Sequence, residues 1–121
     1  MNDVVITGYE MIPPLGASAQ QTWDSLLEGR SGIGRIQRFD PSGFPVRFAA
    51  ETCEPEFEEP VGLSDFGRNL LFDLKGRLAY AAASRAWKMA GLEAGGSRVG
   101  VCLGSEAGRP SLDEIHRRVG Q

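Results

Sequence analysis

The stretch that decides the fold lies at the start of the chain and reads Val4-Val5-Ile6-Thr7-Gly8-Tyr9-Glu10-Met11-Ile12-Pro13-Pro14-Leu15-Gly16. Its first part is an unbroken apolar run, which is typical of a strand covered on both faces in a parallel sheet. The two prolines end that run, because proline has no N–H for a ladder and keeps the preceding residue extended. The stretch therefore predicts a buried strand over residues 3–8 and a Gly/Pro turn after it.

A capped helix is predicted directly after this turn. Ser18 and Gln21 have the spacing of a capping box, in which each side chain satisfies a free backbone N–H at the helix start. Three apolar residues share one helical face, which favours packing: Trp23, Leu26 and Leu27. Gly29 stands where a left-handed C-cap would end the helix.

The remaining segments alternate between strand and helix patterns. We predict a glycine-punctuated loop over 31–43, a short strand over 46–52, a solvated acidic loop over 53–64, a long helix over 69–90 that stops at Gly91, a buried strand over 98–104 and a last helix from Ser111. A cation site in the acidic loop would need converging oxygen atoms, which the spacing does not show. The order β-α-β-α-β-α indicates an α/β fold with three mostly parallel strands and crossover helices. Such a sheet is incomplete and would leave a long edge exposed, so we expect a fragment of a larger domain.

Composition restricts the class of protein. The 121 residues carry a net charge of -3, with 41% hydrophobic and 24% charged residues, as in soluble globular proteins. This net negative charge gives no sign of a basic surface that would bind nucleic acid or an anionic membrane. No apolar run approaches the roughly 20 residues of a membrane span, and no signal-peptide pattern precedes the first strand. Two cysteines fit neither a disulfide framework nor a metal motif, so we expect a cytoplasmic protein.

Five motifs, in order, resemble the amino-terminal region of the β-ketoacyl-[acyl-carrier-protein] synthases. They are Thr7-Gly8 with Pro14-Leu15-Gly16, then Ser31-Gly32-Ile33, Arg38-Phe39-Asp40, Ala81-Ala82-Ala83 with Ala90-Gly91-Leu92, and Val99-Gly100-Val101 with Gly104-Ser105. The resemblance implies a thiolase-like fold, of which residues 1–121 would form only the amino-terminal portion. It also implies an acyltransferase that condenses acyl and malonyl thioesters in fatty-acid or polyketide synthesis. The acyl carrier protein would be its partner, and the complete protein would be a homodimer or pair with another synthase subunit.

The chain departs from the family pattern at several positions. Glu10 stands at the second glycine of the opening motif, and Pro13 replaces the serine before the proline. The stretch Asp73-Leu74-Lys75-Gly76-Arg77 keeps only the aspartate of its family counterpart, and Glu106 stands where a small residue is usual. Acyl chain length and subunit pairing therefore do not carry over.

No catalytic, cofactor-binding or metal-binding residue is expected in this chain. Decarboxylative condensation needs a thiolate to hold the acyl chain and donors that stabilise an enolate. The resemblance assigns these roles to a cysteine and two histidines that lie downstream of residue 121. Cys102 is predicted to be buried in mid-strand, Cys53 lies among carboxylates that disfavour a thiolate, and His116 is expected on a solvated helix face. Dinucleotide and phosphate-loop motifs are missing from the sequence.

Three hypotheses of function remain. The first is the amino-terminal part of an active 3-oxoacyl-[acyl-carrier-protein] synthase, inactive as this chain alone. The second is a non-catalytic partner of the chain-length-factor kind, suggested by Glu10 and the altered stretch 73–77. The third is a small scaffold or interaction protein, derived from a ketosynthase, that pairs through its open sheet edge. In isolation we expect this chain to expose apolar surface on Leu78, Trp87 and Leu103, which a carboxy-terminal half would cover.

Overall fold

The computed structural model describes residues 3–58, 71, 73–93 and 99–105. They contain helix α1 (Ala19–Leu27), strands β1 (Ile33–Arg35) and β2 (Phe48–Ala50), and helix α2 (Leu74–Met89). The last helix predicted from Ser111, the exposure of His116 and the departure at Glu106 lie outside the described residues.

Both ends of α1 follow the prediction. Ser18 is extended, and its Oγ accepts a 3.2 Å hydrogen bond from the Gln21 backbone N–H. The Gln21 side chain returns a bond by accepting from the Ala17 N–H at 2.9 Å, which satisfies a second free donor. At the other end Gly29 has φ +67°, and Arg30 N–H donates to the Ser25 carbonyl at 2.9 Å. This is a Schellman ending, and it confirms the glycine stop.

Helix α2 ends as predicted but begins later. Gly91 has φ +64°, and Leu92 N–H donates to the Trp87 carbonyl, so α2 also stops in a Schellman motif. Its N-cap is Asp73, which is extended and accepts from the Lys75 N–H. An aspartate favours this position because its carboxylate satisfies free donors of the first turn. The predicted start at residue 69 was therefore wrong for α2, which begins at Leu74.

The sheet differs from the predicted one. Strand β2 pairs antiparallel with β1, with Gly34 opposite Ala49, whereas residues 33–35 were predicted as loop. This antiparallel pair lies outside the predicted set of parallel strands, and no helix lies between its two members. They are joined by a loop that turns back between Pro41 and Phe44, and only antiparallel strands can be joined without a crossover.

The two outer segments predicted as strands, 3–8 and 98–104, are not assigned to strands where the structure describes them. Residues 3–8 and 99–105 form no ladder, because a strand needs a partner and neither segment has one in the described part of the chain. Val4 is 98% exposed and Val101 is 89% exposed, so apolar runs that were expected in a core face solvent.

Little of the described chain is buried. Ala81 is the one fully buried hydrophobic residue among those described, and the buried polar residues Thr22 and Ser25 lie on α1. Ser25 Oγ donates to the Leu15 carbonyl at 3.0 Å, so α1 contacts the preceding turn through this polar side. The predicted packing of α1 through Trp23, Leu26 and Leu27 is wrong for the described structure. All three side chains are exposed, Trp23 to 58%. Leu103 is exposed as expected, whereas Leu78 and Trp87 are half-buried.

Candidate functional site

The opening motif packs directly on α2 at Gly8. A Cβ atom at Gly8 would lie well inside van der Waals contact with the Ala86 carbonyl oxygen and 3.0 Å from the Ala90 amide nitrogen. Both are backbone atoms of a helix and cannot move aside without distorting that helix. Glycine at this position is therefore a requirement of close packing.

Two other motif glycines allow close packing around the turn at Pro14. A Cβ at Gly16 would lie 2.8 Å from the Gln21 Cβ, and one at Gly32 would lie 3.0 Å from the Pro14 Cβ. Gly16 thus lets the turn approach α1, and Gly32 lets the following loop approach the turn. Gly16 and Gly32 thus bring the first two sequence motifs together around this turn.

Glu10, which replaces a family glycine, is held at the centre of this region. Its side chain is only 12% exposed. The Oε1 atom accepts from the Ala19 N–H at 2.5 Å and from the Met11 N–H at 2.9 Å, and Oε2 lies 4.0 Å from Arg85 Nη1. No described residue other than glycine has a positive φ, so this backbone position does not require glycine in this chain. A carboxylate at the start of α1 is also favoured by the helix dipole.

Arg85 joins three segments. Its Nη1 donates to the Ala17 carbonyl and faces Glu10, and its Nη2 donates to the Glu56 carbonyl at 2.8 Å. We call residues 10–19 the motif turn and residues 51–58 the acidic strap. The sequence alone did not predict that Arg85 binds both segments.

The acidic strap is a mostly exposed loop where residues 53–58 are described, as predicted, but it is also attached to α2. Pro55 is buried, and the ring of Phe57 packs edge-on against Tyr80 with centroids 5.4 Å apart. Glu54 Oε1 accepts from Arg77 Nη2 at 2.8 Å. The Glu54 side chain is 66% exposed, so this ion pair contributes at most about 1 kcal/mol. Aromatic packing and the arginine contacts together explain why the segment is not free.

The third motif, Arg38-Phe39-Asp40, forms the loop between the two strands. Glu51 holds its start by accepting from the backbone N–H groups of Gln37 at 2.9 Å and Arg38 at 3.2 Å. The Phe39 and Phe44 rings meet edge-on at 5.6 Å. Asp40 accepts from the Ser42 hydroxyl at 2.8 Å and from its backbone N–H at 3.0 Å. The loop is thus closed by local polar contacts.

These bonds lower the pKa of Asp40, with the Ser42 hydroxyl as the larger cause and the Ser42 backbone N–H as the second. Because the folded-state pKa is the lower one, the associated stability is present above the ordinary aspartate pKa. It is lost as pH falls through the lowered value.

We expect Ser42→Ala to raise the pKa of Asp40 part of the way to its ordinary value, since the backbone donor remains. The measurement is an NMR titration of the Asp40 carboxyl carbon. Ser31→Ala is the matched control, because the Ser31 hydroxyl accepts from Ile33 N–H within a different loop. An unchanged Asp40 pKa in Ser42→Ala would show that the hydroxyl bond is not formed in solution.

The described residues assemble no catalytic set. Cys102 is exposed and lies in no strand within the described residues, so its prediction as a buried core residue was wrong for them. Cys53 is exposed and free. Within residues 3–58, 71, 73–93 and 99–105, no three His, Cys, Asp or Glu side chains group as metal ligands. The only histidine of the chain, His116, lies outside these ranges.

Neither helix of the described segments is long and apolar enough to span a bilayer.

Comparison with known proteins identifies the family of the chain. The profile of the family described as "Beta-ketoacyl synthase, N-terminal domain" matches residues 1–119. The chain is similar to 3-oxoacyl-[acyl-carrier-protein] synthase 2 of Coxiella burnetii, with 38% identity over 116 residues, which is 87% of this chain and 25% of that protein. It is also similar to the protein of the same name from Vibrio harveyi, with 37% identity over 92% of this chain and 27% of the relative.

A shorter similarity concerns a polyketide system. The tetracenomycin polyketide synthase ketoacyl synthase beta subunit of Streptomyces glaucescens is 48% identical over 48 residues, which is 40% of this chain and 12% of that protein. The chain belongs to the beta-ketoacyl synthase family, whose fold is thiolase-like. It spans about a quarter of the length of the synthase 2 relatives that it matches.

Proposed function

We propose that residues 1–121 form the amino-terminal part of the ketosynthase domain of a 3-oxoacyl-[acyl-carrier-protein] synthase. The observation that carries this proposal is the family match over residues 1–119, together with relatives of that name at 35–38% identity over most of the chain. The complete enzyme would be an acyltransferase that condenses acyl and malonyl thioesters in fatty-acid or polyketide synthesis. The present chain ends before the catalytic segment.

In this proposal the chain supplies framework and no chemistry. The thiolate that carries the acyl group and the two histidines that stabilise the enolate belong to protein beyond residue 121. The chain contributes the packing of the opening motif on the two helices. Gly8 contacts α2, and Gly16 and Glu10 contact α1. Residues 1–121 alone therefore have no condensing activity.

The complete domain would also pair the two exposed extended segments. Four apolar residues in them face solvent: Val4, Ile6, Val101 and Leu103. Burying an aliphatic side chain stabilises a fold by roughly 1.5–3 kcal/mol, so these runs favour a state in which they are covered. We propose that they become strands of a mostly parallel sheet once the remainder of the domain is present.

Partners follow from the same proposal. The relatives are named for the acyl carrier protein, which would deliver both thioesters to the complete enzyme. The net charge of -3 gives no support for binding nucleic acid or an anionic membrane surface. We propose a cytoplasmic enzyme that works as a homodimer.

A non-catalytic partner subunit is the second candidate. The similarity to a ketoacyl synthase beta subunit favours it, as do Glu10 and the altered stretch 73–77. Downstream sequence distinguishes the two, because such a partner would lack the downstream cysteine that holds the acyl chain. The third candidate, a scaffold protein derived from a ketosynthase, requires that residues 1–121 fold cooperatively by themselves.

A chimera tests the main proposal. Residues 1–121 would replace the matching amino-terminal quarter of the Coxiella burnetii synthase 2, and formation of 3-oxoacyl-carrier protein would be measured. We expect turnover by the chimera and none by residues 1–121 alone. A chimera that folds cooperatively but produces no product would contradict the proposal, as would malonyl-carrier turnover by the short chain. A chimera that does not fold would show that the chain is not an equivalent framework.

A further inference from the structure

We propose that Arg85 is a latch that couples the motif turn to the acidic strap, so that both segments loosen together when it is released. The inference concerns the conformational behaviour of this chain and does not depend on the proposed activity. It rests on the contacts of one guanidinium and on the burial of its carboxylate partner.

One cation holds both segments at the same time. Arg85 Nη1 donates to the Ala17 carbonyl in the motif turn, and Nη2 donates to the Glu56 carbonyl in the acidic strap at 2.8 Å. The guanidinium is planar and presents its donors in a fixed fork. A displacement of either segment therefore changes the position of the donor that serves the other.

Glu10 extends the latch to the start of α1. Its Oε2 lies 4.0 Å from Arg85, and its Oε1 accepts from the Ala19 N–H at 2.5 Å. The side chains of Glu10 and Arg85 are 12% and 30% exposed, so water and salt screen this pair less than the exposed pair at Glu54. Hydrogen bonds to charged groups are also stronger than neutral ones. Loss of Arg85 would leave the Glu10 carboxylate without its cation.

The strap has a second attachment that makes the coupling measurable. Glu54 pairs with Arg77, and Phe57 packs against Tyr80. These contacts keep the strap near α2 when Arg85 is replaced, so the expected change is increased local opening, without detachment of the strap.

Amide hydrogen exchange tests the latch in the protein expressed from its complete reading frame. We expect Arg85→Met to raise exchange about tenfold in peptides that cover residues 10–22 and 51–58, the scale set by losing a charged hydrogen bond. Glu10→Gln should also raise exchange in the strap, although among the described contacts Glu10 reaches the strap only through its 4.0 Å ion pair with Arg85. Lys88→Met is the matched control, because it removes a positive charge from an exposed position of the same helix.

The outcomes decide the proposal as follows. Faster exchange in both segments for Arg85→Met and Glu10→Gln, with no change for Lys88→Met, supports the latch. Faster exchange in one segment alone, or an equal effect of Lys88→Met, overturns it. If Arg85→Met does not fold, Arg85→Lys provides the test, since it keeps the charge but loses the planar fork. Unchanged exchange in both segments of Arg85→Lys would then also overturn the latch.

Discussion

Gly8→Val is expected to destabilise the protein by about 3 kcal/mol or more, because overpacking against immobile atoms costs that much when nothing can move aside. The new side chain would collide with the Ala86 carbonyl oxygen and crowd the Ala90 amide nitrogen, both in the backbone of α2. Relief would require residues 3–8 to separate from the helix. The free energy of unfolding, measured by chemical denaturation of the protein from its complete reading frame, reports this change.

Gly34→Ala is the matched control for this substitution. Gly34 lies in β1 without a positive φ, and a methyl group added there would meet no atom within 4 Å, so we expect a change within about 1 kcal/mol. If Gly8→Val unfolded at the same denaturant concentration as the unmutated protein, the close packing of the opening motif on α2 would be disproved.

Residues 1–121 by themselves are expected to aggregate or to unfold without a sharp two-state transition. Much of the described apolar surface is uncovered, including Ile6 and Leu27. Thermal unfolding followed by near-UV circular dichroism, together with binding of a hydrophobic dye, measures this property.

A cooperative thermal transition in dilute solution would contradict this expectation. It would also favour the scaffold hypothesis, since an independently folding chain needs no further segment to cover its apolar surface. The chimera serves as the control, because the same residues should there unfold cooperatively with the rest of the domain.

The helices could be predicted from the sequence because their signals are local. Ser18 with Gln21, Gly29 and Gly91 act through hydrogen bonds within a few residues, and each occupies the predicted cap. Asp73 carries the same kind of signal for the start of α2, but the apolar periodicity that includes Leu71 predicts an earlier start.

The strands could not be predicted equally well because pairing depends on distant residues. An apolar run such as Val4-Val5-Ile6 indicates an extended segment, yet it becomes a strand only beside a partner. The β1–β2 pair also has a local signal in the sequence. Asp40-Pro41-Ser42-Gly43 is a turn sequence between two short segments with Ile33 and Phe48, which is typical of an antiparallel pair.

The packing of the motif turn was only partly predictable. Its glycines were recognised as a motif, but that Gly8 faces α2 follows from three-dimensional packing alone. Glu10 was noticed as a departure from the family pattern, whereas its partner Arg85 carried no signal, since an arginine on a helix is usually solvated. The sequence thus indicates that Glu10 is unusual but does not indicate that Arg85 is its partner.

The most direct test of the central claim, that these residues begin a condensing enzyme, is to sequence the transcript beyond the Gln121 codon. The account predicts a frame that stays open for about three further lengths of this chain, since the relatives are about four times as long. That frame should encode an elbow cysteine and two histidines. A stop codon directly after Gln121, or an open frame without the cysteine, would contradict the claim of an active synthase.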